Sequence, residues 1–461
     1  VELSHNRAGE GAGVYLDNSV LQLTGCRLTH HTSSYYGAGI HGHYSVLRSF
    51  DCYFSENSTS EDGAGIFLRT SSAGDSVIEN CWFESNYARS GAGVMASLGY
   101  YESLLVSGCT FIRNKASLKG AFYFCGHTDG FLDINECQFL DNSSYYGGGL
   151  NVLCDISHIN VVNCLFAGNK GQRDFQNWNP EAGAAYLWLR ERSDVNFVNC
   201  TFANNMQTND GCAIKIEAEA DSSTTFINCI LWNDEPLEIN WDSGAEPAVS
   251  FSLVKGGFAG EGNIQGDPLF MNGEFGSYYL RQDCDGDAPY SACIDAGSAN
   301  AAELQYETFN ETRFFNQLTT RTDDQTDSGG IDIGYHYPAI EKTESNIKLI
   351  MEDTYLEPGD PFMLSYSLTN SDSIELNADV WILLGIEDEY WFYPSWVNIN
   401  EGVDYAPEVM VPPGSQVNST VLSFTWPDVS GHLSNLYFYG AAFYYDTYDF
   451  IGELQIVEWG Y

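Results

Sequence analysis

The chain reads as an all-β protein, a right-handed parallel β-helix followed by a small β-sandwich. Three observations predict this. An apolar strand, Asn-Cys-x-Phe-x-x-Asn, a turn, Gly-Ala-Gly and a second apolar strand recur about eight times, most clearly from Ser76 to Ala96. Apolar residues alternate within the strands, as at Val14 and Leu16, Ile66 and Leu68, and Leu104 and Val106, which buries one face of each. Pro is lacking before Pro180, as ladders that use every N–H require.

Each repeat supplies three apolar strands. One follows the glycines, one precedes the cysteine and one is Cys-x-Phe itself. A coil of this length buries little alone, and stacking joins the coils into one core. Eight cysteines, Cys26, Cys52, Cys81, Cys109, Cys137, Cys164, Cys200 and Cys229, recur at 26 to 29 residues with one 36-residue gap. They mark a repeat position and read as compact buried hydrophobes, since zinc sites need cysteines paired a few residues apart. Asn57, Asn86, Asn114, Asn142, Asn169, Asn205 and Asn233 close one turn per coil, where a left-handed residue is tolerated. The glycine triplet closes the opposite corner.

Gly-Gly/Ala-x-Ile with Phe-x-x-Asn resembles the repeat of the chlamydial polymorphic outer membrane proteins and of many secreted bacterial β-helix proteins. The likeness continues through Gly262-Asn263-Ile264, Asp267-Pro268-Leu269-Phe270, Cys293-Ile294-Asp295-Ala296-Gly297 and Gly330–Tyr337, similar to the closing segment of those proteins. It implies a β-helix over residues 1–340, closed by about 250–340, and an extracellular or cell-surface setting of bacterial type. Beyond Pro338–Ser345, strand-like runs between Glu357-Pro-Gly-Asp and Val411-Pro-Pro-Gly turns predict an Ig-like β-sandwich over 345–461.

The chain has 461 residues and a net charge of −44, from 63 acidic and 19 basic residues. Nucleic acid is excluded as a partner, because phosphate binding needs a basic footprint. No apolar run reaches the length of a membrane-spanning helix. Val1–Asn6 reads as the tail of a repeat, so the expectation is that a natural N-terminal segment and signal precede it.

Candidate sites lie where the repeat turns outward or breaks. The fourth position past the first glycine gives an outward row, Tyr15, His41, Phe67, Met95 and Phe124, then Asn151, Leu187 and Lys215. Its aromatic half reads as a docking stripe for a glycan or a protein, or as a ladder covered by local loops. The insertion Gly171–Glu181 carries Phe175 and Trp178, as inserted loops that bind often do. Tyr390 and Trp391 open an aromatic run to Trp396, either a carbohydrate platform or core. Asp283, Asp285 and Asp287 have the composition of an acidic calcium loop without its terminal Glu, and Asp323, Asp324 and Asp327 form a second acidic patch. A structural Ca²⁺ is the one cofactor that the sequence admits. Cys284 and Cys293 are disulfide candidates, which an oxidising compartment permits; Cys125 and Cys154 are a further pair. His5, His30, His31, His41 and His43 cluster in two coils without the spacing of a defined metal site.

Pectate lyases and polygalacturonases share the β-helix architecture and gather carboxylates on the helix flank. The sequence shows no such cluster at the outward positions. The expected function is therefore non-enzymatic: an extracellular or cell-surface structural, adhesin-like protein that self-associates, in the extreme into filaments, or docks a surface glycan or protein. The alternative is a polysaccharide-binding or polysaccharide-degrading β-helix.

Overall fold

The computed structural model describes the chain except residues 71–73, 173–180, 208–211, 235–236, 245, 283–288, 310, 323–324, 340–345, 352–353, 372–375, 387–388, 401–403, 428–435, 446–450, 452–453 and 461, and the side chains of 128, 243 and 407. Its regular secondary structure among the described residues is all strand but for a three-residue turn of 3-10 helix at Phe315–Gln317, and it forms two compact units, Val1–Ala339 and Ile340–Tyr461.

The first unit is a parallel β-solenoid. Each Cys-x-Phe strand pairs in parallel with the next, from Glu2–Ser4 and Arg27–Thr29 through to Ile230–Trp232 and Leu253–Val254. The strands after the glycines stack the same way, from Val14–Asp17 to Leu237–Ser243. A fourth short strand, such as Thr32–Ser33 or Ser58–Thr59, adds to the three expected per coil. It is too short to show alternation in sequence. One buried cluster runs the length of the solenoid. Phe54, Phe83, Phe111, Phe139, Phe166 and Phe202 stack with centroids 4.6–4.9 Å apart, the distance between neighbouring strands.

The asparagine ladder is fully hydrogen-bonded. Asn114 Nδ2 donates to the Phe83 carbonyl (2.8 Å) and to Asn142 Oδ1 (3.1 Å). Its Oδ1 accepts from the backbone N–H (3.1 Å) and Nδ2 (3.0 Å) of Asn86. The ladder ends on Glu238, whose carboxylate accepts from Asn233 N and Nδ2 at 2.8 and 2.6 Å. The left-handed residue is not the ladder asparagine but the one before it: Glu56, Ser85, Arg113, Asp141 and Asn204 all have positive φ. At the opposite corner the triplet divides its labour. Gly37 needs its φ of +56°, whereas a Cβ on Gly39 would lie 2.4 Å from the Gly65 carbonyl oxygen.

The closing segment does more than end the solenoid. It runs back along the turns that precede the cysteines. Asn163 Nδ2 donates to the His336 carbonyl (2.9 Å) and His336 N donates back to Asn163 Oδ1 (2.7 Å). Asn199 Nδ2 donates to the Asp332 carbonyl, and Asn228 Oδ1 accepts from Ser298 N. Further along, Arg313 pairs with Glu136 at 3.1 Å, and Phe309 packs 5.4 Å from Phe50. The Asn of Asn-Cys is thus the anchor of a return strap.

The second unit holds two antiparallel sheets. One comprises Asn346–Met351, Pro361–Thr369 and Gln416–Thr425. The other centres on Leu376–Ile386, flanked by Glu389–Phe392, Ala406–Val411 and Leu436–Tyr444. Ile347, Leu364, Val380, Ile382 and Phe438 are buried in one cluster drawn from both. The polar segment Pro338–Ser345 lies outside the described residues from residue 340 on.

Candidate functional site: an aromatic groove on the first coils

The outward row forms, with one correction of frame. Strand register places Tyr15, His41, Phe67, Met95, Tyr123, Asn151, Tyr186 and Lys215 side by side. Phe124 is fully buried in the core, as is Leu187. The reason lies in the triplet. Met95 pairs with Tyr123 and Val94 with Phe122, so Gly120 is the middle residue and Lys119 holds the first position. Gly183 is likewise the middle of Ala182-Gly-Ala. Counting from these glycines shifts the row by one residue, which in a strand reverses the face.

The first four members line a groove of about 430 Å³, with Glu10, Tyr36, His43, Asp62, Arg69 and Ser97. Tyr15 is half exposed, Phe67 half buried, and His41 and Met95 are buried. The rings meet at steep angles: Tyr15 to His41 at 73° and 5.1 Å, His41 to Phe67 at 79° and 4.9 Å, Tyr36 to His41 at 67° and 6.1 Å. Tyr36 lies 4.7 Å from Phe67. Together they make the walls of a box.

The groove's charges are unevenly committed. Arg89 grips Asp62 with two hydrogen bonds of 3.2 Å and also reaches Glu61. Arg69 is drawn over the Tyr44 ring at 5.0 Å, and His43 Nδ1 lies 3.2 Å from Asp17. His41 Nδ1 is 3.4 Å from Glu10 Oε2 but makes no hydrogen bond of acceptable geometry. Burial pushes the His41 pKa down, more than Glu10 raises it, and His43 lowers it further. His41 is therefore neutral at neutral pH, beside the Glu10 carboxylate.

The five histidines separate. His5 stacks on His30 at 4.7 Å, His31 stands at the head of the asparagine ladder, and His41 and His43 enter the groove. Among the described residues no group of three or more His, Cys, Asp or Glu is arranged to hold a metal ion. Asp283, Cys284, Asp285, Asp287, Asp323 and Asp324 lie outside the described residues, as do Phe175 and Trp178. Cys293 is fully buried, and burial pushes its thiol up to about 12. Asp327, from the second acidic patch, instead faces buried His336 at 2.9 Å. Cys125 and Cys154 do not face each other. Gly126 is the register partner of Cys154, so Cys154 points into the core and Cys125 outward. In the second unit Tyr390 and Trp391 are half buried beside buried Phe392, and Tyr390 lies 6.1 Å from Tyr439.

Glu10, Asp62 and Arg69 were not singled out for this site from sequence. They stand on the corner and strand flanking the row, and only the stacking of three coils brings them together. A Tyr or acidic residue just before the first glycine, as at Tyr36-Gly37, Asp62-Gly63 and Glu10-Gly11, was the available signal.

No helix is long and apolar enough to cross a membrane among the described residues. No curated protein matches the chain. Residues 1–166 match the family model described as right handed beta helix region, and in the structure the same stacked coils continue to Leu253–Val254.

Proposed function

We propose that this protein is a non-enzymatic, extracellular or cell-surface structural protein of adhesin type, in which the β-helix is a rigid spacer and the groove over its first coils docks a surface ligand. The observation that carries the reading is the groove itself: four aromatic or imidazole rings from successive coils, Tyr15, Tyr36, His41 and Phe67, gathered at one outward site. Large outward apolar groups cost hydration unless a partner covers them. End-to-end association of solenoids into filaments belongs to the same proposal, because coils stack by strand pairing. Light scattering and electron microscopy of concentrated protein test it, and a monodisperse monomer without fibres would remove the filament.

A polysaccharide-degrading enzyme is the second reading. Glu10 and Asp62 both line the groove, and paired carboxylates perform glycoside hydrolysis. Against it, Asp62 is committed to Arg89. A glycan array combined with a reducing-sugar assay separates the two. The expected outcome is retention of a ligand without release of sugar ends. Release that Glu10→Gln abolishes would establish the enzyme instead.

A further inference from the structure

We infer that the groove is a receptor for an alkylammonium group, carried as a lysine side chain on a basic peptide segment of a partner protein. The inference rests on the docking reading above and names the ligand's chemistry.

Three observations point the same way. The first is shape. A pyranose ring stacks on a flat aromatic face, whereas here the rings stand at 67–79° to one another around buried His41. Rings packed edge to face offer a compact group several short faces rather than one flat platform, and aromatic faces attract a cation through their quadrupole. Phe67 and Met95 add apolar and polarisable surface for the methylenes next to the nitrogen.

The second is charge. Asp62 is neutralised by Arg89 and Asp17 faces His43, while the groove's own cation, Arg69, is held over Tyr44. Glu10 faces only a neutral imidazole. Among the described residues Glu10 has no ion-pair partner besides this imidazole, so its carboxylate stands open to an incoming cation beside the aromatic rings. His41, 4% exposed, closes the base of the groove with its Nδ1 turned to Glu10 at 3.4 Å. The third is the long-range field. A net charge of −44 accelerates encounter with a basic segment and opposes pairing of this groove with a second, equally acidic copy.

The test is calorimetric titration of the whole chain at about 0.15 M salt, where surface charges are screened beyond about 8 Å. The probes are an oligolysine peptide, its Nε-acetylated and Nε-trimethylated forms, and a glucosamine oligomer. Tyr15→Ala and Tyr36→Ala leave the net charge unchanged, so they separate the box from the general field. Tyr15 is half exposed, and circular dichroism checks that each variant keeps the fold.

The expected result is binding of the lysine and trimethyl-lysine peptides, loss on acetylation, and a weakening of about five-fold or more in each Tyr variant. Glu10→Gln weakens binding as well. Peptide binding that the Tyr variants leave unchanged would overturn the inference, since the field alone would then explain it. Binding of the glucosamine oligomer but not the peptide, lost in the same variants, would overturn the lysine assignment while leaving the docking groove in place. Failure of a broad glycan and peptide screen to find any ligand sensitive to these variants would remove the docking reading itself.

Discussion

His31 occupies the place that an asparagine fills in the next seven coils. Its backbone N–H reaches Asn57 Oδ1 at 3.0 Å and its Nδ1 accepts from Asn6 N at 3.2 Å, but its buried Nε2 makes no hydrogen bond of good geometry, the Leu3 carbonyl giving it only partial support. A buried polar atom left unpaired costs about 1–3 kcal/mol. His31→Asn extends the ladder by one rung and is expected to raise stability by about 1 kcal/mol, read as a shift in the urea midpoint. Burial is the largest cause holding the pKa of both His31 and His41 below the ordinary value. The unfolded chain then binds the protons that the fold resists. Their contribution to stability is constant above about pH 6.5 and falls as pH drops below that value toward the lowered folded values. Thermal melts between pH 7 and 5 should show this fall, with a smaller drop in His31→Asn; a drop of equal size would remove His31 from the account. Asn114→Ala removes both Nδ2 bonds and leaves Asn86 without its acceptor, at a cost of about 3 kcal/mol. The ladder was legible in sequence from the constant Phe-x-x-Asn spacing. Its terminal cap was not, because Glu238 lies five residues beyond Asn233 and outside the repeat phrase.

Among the elements, the stacked strands were legible and the return strap was not. Alternation and a repeat near 27 residues report which face is buried, so the coils follow from Cys, Phe and the glycines directly. The strap has no period. Its contacts, such as Asn163 to His336 or Glu136 to Arg313, join residues more than 170 positions apart. The row of outward residues shows how a small slip propagates: taking Gly120 as the first glycine selects Phe124, which is core, in place of Tyr123. The strap's buried pair makes a distinct prediction. His336 Nε2 lies 2.9 Å from Asp327 Oδ2, which also accepts from Asp332 N at 3.0 Å. Leaving a buried hydrogen-bonding partner unsatisfied costs about 1–3 kcal/mol. Asp327→Ala should speed amide exchange across Ile331–Tyr337 while Phe122–Asn135 keeps its protection. Uniform loss of protection in both would show that the strap and coils unfold as one unit.

At the scale of the whole molecule, the chain joins a regular solenoid unit to a second, antiparallel β unit under an acidic field of −44. Composition alone argues against a nucleic-acid partner, since phosphate binding needs a basic footprint. It did not locate a site, because Tyr15, Tyr36, His41 and Phe67 come from three coils and converge only on stacking. The account places ligand recognition in this groove and treats Tyr390 and Trp391, half buried beside Phe392, as part of the packing of the second unit. The most direct test compares Tyr36→Ala with the double variant Tyr390→Ala, Trp391→Ala in one binding measurement on the intact protein, with the ligand found by array. The account predicts loss of about five-fold or more in affinity for Tyr36→Ala and unchanged affinity for the folded double variant. Unchanged binding by Tyr36→Ala, with loss in the double variant, would contradict it and move recognition to the second unit.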